Sequence, residues 1–321
     1  MKIGILGTGT IARKMAATVN AMDDVTLEAV GSRTYQKAKA FADEFSIPKA
    51  CGSYEELAKD NSLDLIYIAT PHSRHYEDSL LCLENGRNIL AEKPFTANSV
   101  QAEKLLTLAE EKGLYAGEAI WTRYLPMRFK LDEIIKNGVI GEITSLTANL
   151  GYSIMHVERL IKPELAGGAL LDLGVYTINF ALMAFGSEIT EIKSSCVKNE
   201  YGVDIHNTLI MNFEGGKTAI LHSNMNSNTD NMGIIYGDKG RIEFKNINNC
   251  EGIKVILNDG FVQEYNTPPQ ITGFEYEVRS SLEAVADGRT ECEEMPHSEI
   301  LRVMKIMDEL RAEWNIRYPF E

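Results

Sequence analysis

The sequence predicts a doubly wound α/β domain with a parallel sheet, followed by an α+β domain whose sheet is mostly antiparallel. Three observations predict this fold class. A glycine-rich turn follows the first apolar strand pattern, strand and helix patterns alternate through the first third, and closely spaced strand patterns dominate the remainder. A chain of 321 residues also exceeds the usual size of one compact domain, so two domains are expected.

The first domain is predicted at residues 1–121. Short apolar runs such as KIGIL and LDLIYIA are each followed by a helical pattern, and the alternation ends with LYAGEAI. Strands that alternate with helices indicate a parallel sheet, and continuous apolar strands are typical of a sheet covered on both faces.

The second domain is predicted at residues 122–321. Strand patterns from EITSLTANLGY to GIKVIL are separated by turn signals such as EGG, GDKG and NDG, and the helical pattern ALLDLGVYTINFALMAF precedes most of them. Closely spaced strands favour an antiparallel sheet. Two helical patterns follow, and the last packs either within this domain or back on the first.

The net charge and hydropathy pattern exclude several classes of protein. Lys and Arg total 32 against 46 Asp and Glu, a formal net charge of −14, which opposes general binding to nucleic acid or anionic membranes. No uninterrupted apolar run approaches the roughly 20 residues of a membrane helix, and the first residues turn glycine-rich too early for a signal peptide. We expect a cytoplasmic protein.

The cysteines indicate neither a disulfide framework nor a metal site. There are five, an odd number, and no two form a CxxC pair. Reduced thiols packed as small hydrophobic side chains are expected, and no metal is predicted.

A dinucleotide-binding fingerprint follows the first strand pattern. It consists of Gly7, Thr8, Gly9, Thr10, Ile11 and Ala12, directly after KIGIL and at the start of a helical pattern. In this context the first glycine permits a tight turn, the second removes the Cβ that would block the pyrophosphate, and Ala12 keeps the helix close to the sheet. The sequence therefore predicts a Rossmann domain that binds a nicotinamide dinucleotide.

The end of the second strand pattern favours NADP over NAD. An acidic residue there would bind the ribose hydroxyls of NAD and repel a 2′-phosphate, but the sequence has Ser32 and Arg33, with Lys37 one helical turn later. If Arg33 and Lys37 are only solvated surface charges, NAD remains possible.

Polar residues follow two further strands of the predicted parallel sheet. Thr70, Pro71, His72 and His75 come after LDLIYIA, and Glu92, Lys93 and Pro94 come at the end of NILAEK. The carboxyl ends of such strands bind ligands, so we expect these residues, apart from Pro94, to line the cofactor site. Lys93 can also hydrogen-bond a substrate hydroxyl and stabilise a developing alkoxide.

The ordered set GxGxxA, ATPxxxH, EKP and GGALLDLGVY resembles the Gfo/Idh/MocA family of oxidoreductases over nearly the whole chain. Ser32-Arg33, the EKP segment, EAIWTR at 118–123 and GGALLD at 167–172 resemble a narrower branch, the dimeric dihydrodiol dehydrogenases, also known as NADP-dependent D-xylose dehydrogenases. The resemblance implies an open-faced sheet in the second domain, a homodimer formed through it, and Lys93 and Tyr176 in the catalytic cleft, assisted by Asp172.

The spacing of Asp172 and Tyr176 agrees with this implication. They are four residues apart in a helical pattern and so share one face. As a base at neutral pH, Tyr176 needs nearby positive charge, which Lys93 and the oxidised nicotinamide can supply. Many family members have histidine at this position, so either Tyr176 or Lys93 is the proton acceptor.

Other residues are weaker candidates for the substrate wall. Trp121 can stack on a sugar or arene face or can pack in the core, and Arg123 and Arg159 flank the expected cleft in sequence order. His156 is expected at the surface or in a structural role.

The sequence therefore predicts hydride transfer between NADP and a small polyol, aldose sugar or trans-dihydrodiol, without a metal. A closed-cycle sugar oxidoreductase with retained NADP and a non-catalytic NADP-binding sensor are the alternatives.

Overall fold

The computed structural model describes residues 1–186 and 188–321. They form two compact units: Met1–Trp121 with Gln270–Lys305, and Thr122–Pro269 with Ile306–Glu321. The second domain, expected as continuous from residue 122, is therefore interrupted, because the chain returns to the first unit at Gln270.

The helices alternate with strands in the first third of the chain and become sparse after it. In chain order they are α1 (Thr10–Asn20), α2 (Tyr35–Phe45), α3 (Tyr54–Ala58), α4 (His75–Glu84), α5 (Ser99–Lys112), α6 (Pro126–Lys136), α7 (Glu158–Ile161), α8 (Val175–Phe185), α9 (Phe274–Ala286) and α10 (His297–Glu313). A π-helical turn at Leu170–Gly174 leads into α8.

The first unit is built on a six-stranded sheet. Its strands are β1 (Lys2–Leu6), β2 (Thr26–Gly31), β3 (Lys49–Cys51), β4 (Leu65–Ile68), β5 (Ile89–Glu92) and β6 (Ala116–Ala119). They pair in parallel in the order β3-β2-β1-β4-β5-β6. This is the Rossmann order, and the prediction of a doubly wound parallel sheet is confirmed.

The segment that returns to the first unit lies along β6. The backbone N–H of Ala116 donates to the carbonyl of Thr290 at 3.0 Å, and Nε2 of His297 lies 3.0 Å from the carbonyl oxygen of Ala116. The hydroxyls of Tyr115 and Ser281 are 2.9 Å apart. These contacts cover the outer edge of the sheet.

The second unit contains an eight-stranded sheet. Its strands are β7 (Ile143–Gly151), β8 (Ile189–Lys198), β9 (Asp204–Phe213), β10 (Lys217–Asn224), β11 (Gly233–Gly237), β12 (Gly240–Lys245), β13 (Gly252–Leu257) and β14 (Val262–Asn266). The order is β14-β13-β12-β11-β7-β10-β9-β8, and every pairing except the parallel β7–β10 pair is antiparallel. The prediction of a mostly antiparallel sheet is confirmed.

Helix α8 supplies much of the core of the second unit. Its Phe180 and Phe185 rings contact Phe244 and Phe213 of the sheet, with centroids 5.4 and 5.0 Å apart. The stretch Pro163–Phe185 is long and apolar enough to cross a membrane by length and composition, but 94% of its most apolar window is buried inside the protein. It is a core helix of this unit.

Candidate active site

The glycine loop after β1 has the geometry of a phosphate cradle. Gly7 has a φ of +114°, and a Cβ there would lie 2.7 Å from the carbonyl oxygen of Ala69, so both conformation and space require glycine. A Cβ at Gly9 would meet no heavy atom of the described chain within 4 Å, which leaves open space above the loop.

Helix α1 begins directly after this loop. No side chain in the described part of the chain caps its amino terminus at Gly9, so the first N–H groups and the positive end of the helix dipole point toward the open space. Ala12 is fully buried, which keeps the helix against the sheet. The loop residues therefore fit the pyrophosphate of a dinucleotide.

The end of β2 presents positive charge. Ser32 is buried, whereas Arg33 and Lys37 are exposed. Lys37 lies in the first turn of α2, and this first turn contains no acidic residue. Burial and then the charge of Asp78 raise the pKa of Tyr54, and the guanidinium groups of Arg33 and Arg74 oppose that shift. Arg74 also pairs with the buried Asp78, with Nη2 2.7 Å from Oδ1. The sequence analysis missed Arg74, which lies 41 positions from Arg33 and acts electrostatically on Tyr54 only in the folded unit.

His75 links the two loops that follow β4 and β5. The side chain is fully buried, with Nδ1 2.8 Å from the carbonyl oxygen of Pro94 and Nε2 2.9 Å from that of Thr70. Pro71 is exposed at the start of the first loop, and His72 is buried, with its ring 5.6 Å from that of His75. His75 is thus a brace between loops.

The backbone of Lys93 is hydrogen-bonded to the side chain of the preceding residue, Glu92. The backbone N–H of Lys93 donates to Oε2 of Glu92 at 3.2 Å, while the Tyr67 hydroxyl donates to Oε1 of the same carboxylate. On the other side of the loop, the Phe95 N–H donates to Oε1 of Glu118 at 2.8 Å. Two buried carboxylates thus orient the segment that carries Lys93, which is itself half-buried.

The sequence analysis missed Glu277, another buried carboxyl group of the first unit. Glu277 of α9 is fully buried, and neither carboxyl oxygen has a hydrogen-bond partner among the described residues. Burial, then the nearby Glu92, raises the pKa of Glu277 well above its ordinary value. The sequence analysis assigned the helical pattern of α9 to the second domain, so it gave no reason to expect Glu277 near Glu92.

In the second unit, Asp172 pairs with Arg159. The Nη1 of Arg159 lies 3.3 Å from Oδ1 of Asp172, and the carboxylate is buried while the guanidinium side chain is 43% exposed. Asp172 lies in the π-helical turn and Tyr176 in the first turn of α8, and both are buried. The uninterrupted α-helix assumed for their shared face is therefore wrong at residues 170–174, where the turn is wider. Such π-bulges are frequent at functional sites.

The other candidates for the substrate wall have structural contacts. The Nε of Arg123 donates to Oδ1 of Asn179 at 2.6 Å, and Arg123 is 4% exposed, so it is anchored to α8 instead of standing on an open wall. Trp121 stacks on Phe274, with centroids 4.3 Å apart and planes at 11°. His156 is exposed, in agreement with a surface position.

Comparison with known proteins shows the family. The family described as an oxidoreductase family with an NAD-binding Rossmann fold matches residues 1–119, and the GFO/IDH/MocA C-terminal domain matches residues 129–243. Trans-1,2-dihydrobenzene-1,2-diol dehydrogenase of Xenopus laevis is 34% identical over 99% of both chains. The human protein of that name is 31% identical over 99% of this chain and 98% of its own.

Two solved structures share the fold of this chain. The 3-ketoreductase KijD10 of Actinomadura kijaniata, in complex with TDP-benzene and NADP, superposes with a TM-score of 0.84 at 26% identity and 96% coverage of each chain. An aldose-aldose oxidoreductase of Caulobacter crescentus has a TM-score of 0.89 over 98% of this chain and 97% of its own, and at 20% identity it shows the shared fold. The chain belongs to the Gfo/Idh/MocA family and is a nicotinamide-dependent oxidoreductase.

Proposed function

We propose that the protein is an NADP-dependent dehydrogenase that oxidises a CH–OH group of a small polyol, aldose sugar or trans-dihydrodiol. The position of Lys93 in the fold is the observation that carries the proposal. It follows β5 at the carboxyl edge of the same parallel sheet whose first strand leads into the glycine loop, and ligands of such sheets bind at this edge. The dihydrodiol dehydrogenases at 31–34% identity support the class of substrate.

Preference for NADP is the second part of the proposal. Arg33 places an exposed guanidinium group just after β2, and Lys37 adds a second exposed cation in the first turn of α2, where there is no carboxylate. A 2′-phosphate is a dianion that arginine recognises well. The 3-ketoreductase solved with NADP supports the same assignment.

A nicotinamide dinucleotide bound at the glycine loop that contains Gly7 and Gly9 would supply the hydride acceptor for the substrate carbon. The ammonium group of Lys93 donates a hydrogen bond to the substrate hydroxyl and stabilises the charge that develops on its oxygen. With Lys93 as an ammonium group, Tyr176 takes the hydroxyl proton; in the alternative, Lys93 is a neutral amine and takes the proton itself. Asp172 assists the proton transfer, and its carboxylate is paired with the guanidinium group of Arg159.

The test is the initial rate of reduced-cofactor formation with NADP and with NAD across a panel of aldoses and trans-dihydrodiols. We expect NADP-preferring turnover that falls by about 10²–10³-fold in Lys93→Ala, since one stabilising donor is lost. Lys104→Ala, an exposed lysine on α5, is the matched control and should keep its rate. Turnover that survives in Lys93→Ala would remove the lysine from the mechanism, and absence of turnover with bound NADP would favour a sensor.

We further propose a homodimer formed through the outer face of the eight-stranded sheet. Ile210 of β9 and Ile220 of β10 are register partners, and they are 40% and 46% exposed on the face opposite the buried Leu209, Met211 and Leu221. A sheet that exposes adjacent large apolar side chains gains free energy when a second copy covers them.

Sedimentation equilibrium tests the dimer. We expect Ile220→Glu to shift the protein toward monomer, because a charge would be buried at the interface. Val100→Glu, on an exposed apolar position of α5, is the control that should leave the mass unchanged. A wild type that sediments as a monomer overturns this part of the proposal.

A cytoplasmic location completes the proposal. All five cysteines lie in the described residues and none forms a disulfide, and four of them are buried. Cysteines that form no disulfide are the usual state in a reducing compartment.

A further inference from the structure

A buried carboxylate holds the start of the helical segment that carries Asp172 and Tyr176. Asp204, the first residue of β9, is 2% exposed. Its Oδ2 accepts hydrogen bonds from the backbone N–H of Leu170 at 2.8 Å and from Nδ2 of Asn207 at 2.9 Å. None of these three residues was expected in the site.

The backbone before Leu170 is shaped around the same carboxylate. Gly168 has a φ of +130°, and a Cβ there would lie 2.4 Å from Oδ1 of Asp204. The N–H of Gly168 donates to the carbonyl of Leu160 at 2.9 Å, and the carbonyl of Gly167 accepts from the Tyr318 hydroxyl at 2.8 Å. The backbone of Gly167 and Gly168 is thus held by hydrogen bonds to Tyr318 and Leu160, and Asp204 holds the N–H of Leu170, which follows this glycine pair.

Leu170 is the first residue of the π-helical turn, so its N–H has no carbonyl of a preceding helical turn to bond. An anion at this end also interacts favourably with the helix dipole. Because Asp172 lies two residues later and Tyr176 six residues later, a displacement at Leu170 moves both side chains that the proposed mechanism uses.

We propose that Asp204 is a positioning residue: its ionised carboxylate fixes the start of the Leu170–Phe185 helical segment, and its protonation loosens that start and lowers turnover. The part that concerns turnover rests on the proposed function. The part that concerns the Leu170 N–H does not.

The electrostatic surroundings of Asp204 support a transition within the physiological range. Burial raises the pKa of Asp204 to about 6, and hydrogen bonds from Asn207 and Leu170 and the charge of Arg311 on α10 oppose the shift. Among the described residues, Tyr318, after α10, and Cys196 on β8 also interact electrostatically with Asp204, and both have raised pKa values and are neutral at this pH. Above pH 6 the two hydrogen bonds are charge-assisted. Below it they are bonds between neutral groups, which are roughly half as strong.

The first experiment is hydrogen exchange of the Leu170 amide in the full-length wild-type protein. After correction for the intrinsic rate, we expect the protection factor to fall as pH is lowered from 8 to 5, and to be low at both pH values in Asp204→Asn. Asp259→Asn is the control, because Asp259 also accepts a backbone N–H, from Phe261 at 2.9 Å, but in an exposed turn. Wild-type protection that is independent of pH would overturn the proposal even if the variant failed to fold.

The second experiment is the pH profile of kcat. We expect the wild-type kcat to fall below pH 6, and Asp204→Asn to lose that inflection, with kcat lowered by about tenfold at pH 8 and KM little changed, because the displaced groups act in the chemical step. A variant that keeps the inflection would overturn the role in turnover. If no substrate is turned over, the proposed function fails while the exchange data still decide the contact with Leu170.

Discussion

The Nη1 atom of Arg159 lies 3.3 Å from Oδ1 of Asp172. The Arg159 side chain is half-exposed, whereas the Asp172 carboxylate is buried. The pair joins α7 to the π-helical turn. Removal of one member leaves the other charge without this partner, which is costly where the charge is buried.

We expect Arg159→Met and Asp172→Asn each to lower kcat/KM, and the double variant to lose less than the sum of the two free-energy changes. The coupling should be about 1–2 kcal/mol, typical of residues in direct contact. Rates for the wild type, both single variants and the double variant measure it. The Arg128–Asp132 pair on α6, 2.6 Å apart, supplies the control, since Arg128→Met should leave kcat/KM unchanged. Additive effects at Arg159 and Asp172 would show that the contact has no role in catalysis.

The two glycines of the cradle should respond differently to alanine. Gly7→Ala should destabilise the protein by more than about 1 kcal/mol, because φ is positive and the Ala69 carbonyl occupies the space of a Cβ. Gly9→Ala should fold normally but bind NADP at least about tenfold more weakly, a loss of about 1.4 kcal/mol. Urea unfolding and cofactor titration separate the two effects. Normal NADP affinity in Gly9→Ala would contradict the placement of the pyrophosphate.

Arg33 should determine cofactor preference. We expect Arg33→Ala to raise the KM for NADP by about tenfold, the loss of one charge-assisted pair, and to leave the KM for NAD nearly unchanged. Lys39→Ala on α2, the helix that follows Arg33, is the control, since Lys39 is exposed and pairs with Asp43. An equal effect on both cofactors would mean that Arg33 does not contact the 2′-phosphate.

Glu277 should give the stability of the protein a pH dependence. Its folded-state pKa is raised well above the ordinary 4.5, chiefly by burial. The stability that the protonated form contributes is therefore complete below about pH 4.5 and is lost as pH rises through the folded pKa. Glu277→Gln keeps a neutral side chain and should remove this loss.

Urea unfolding at several pH values from 5 to 9 measures the effect. The free energy of unfolding should fall less steeply with pH in Glu277→Gln than in the wild type. Glu283→Gln, an exposed glutamate of the same helix, should follow the wild type. Identical slopes for Glu277→Gln and the wild type would show that Glu277 ionises normally.

Local patterns were sufficient for the glycine loop and the strand-end loops of the first unit. Gly7, Gly9 and Lys93 lie directly after apolar strands, and a parallel sheet brings the ends of its strands to one edge. Helix α3 was missed although the S-x-x-E pattern at its start is readable. Ser53, the N-cap, accepts from the Glu56 N–H, and Glu56 accepts from the N–H of Gly52, one residue before the N-cap. Strand β3 has only three residues, too few for an apolar pattern.

The remaining features depend on tertiary contacts that sequence does not encode locally. The π-helical turn lies in a segment that is buried all round, so its apolar pattern has no periodicity that would reveal a wider turn. Asp204 and Leu170 are 34 positions apart, and Glu277 is separated from Glu92 by the whole second-unit insertion. Such pairs become visible only when the strands and helices have been assembled.

The segment along β6 has a consequence for how the protein is made. During synthesis the six strands of the first sheet are complete by Ala119, but Thr290 and His297, which contact Ala116, emerge much later. Until then the last strand is an unpaired edge that can recruit strands from other chains. A fragment that stops near residue 121 should aggregate, whereas one in which a short linker joins residue 121 directly to residue 270 should remain in solution.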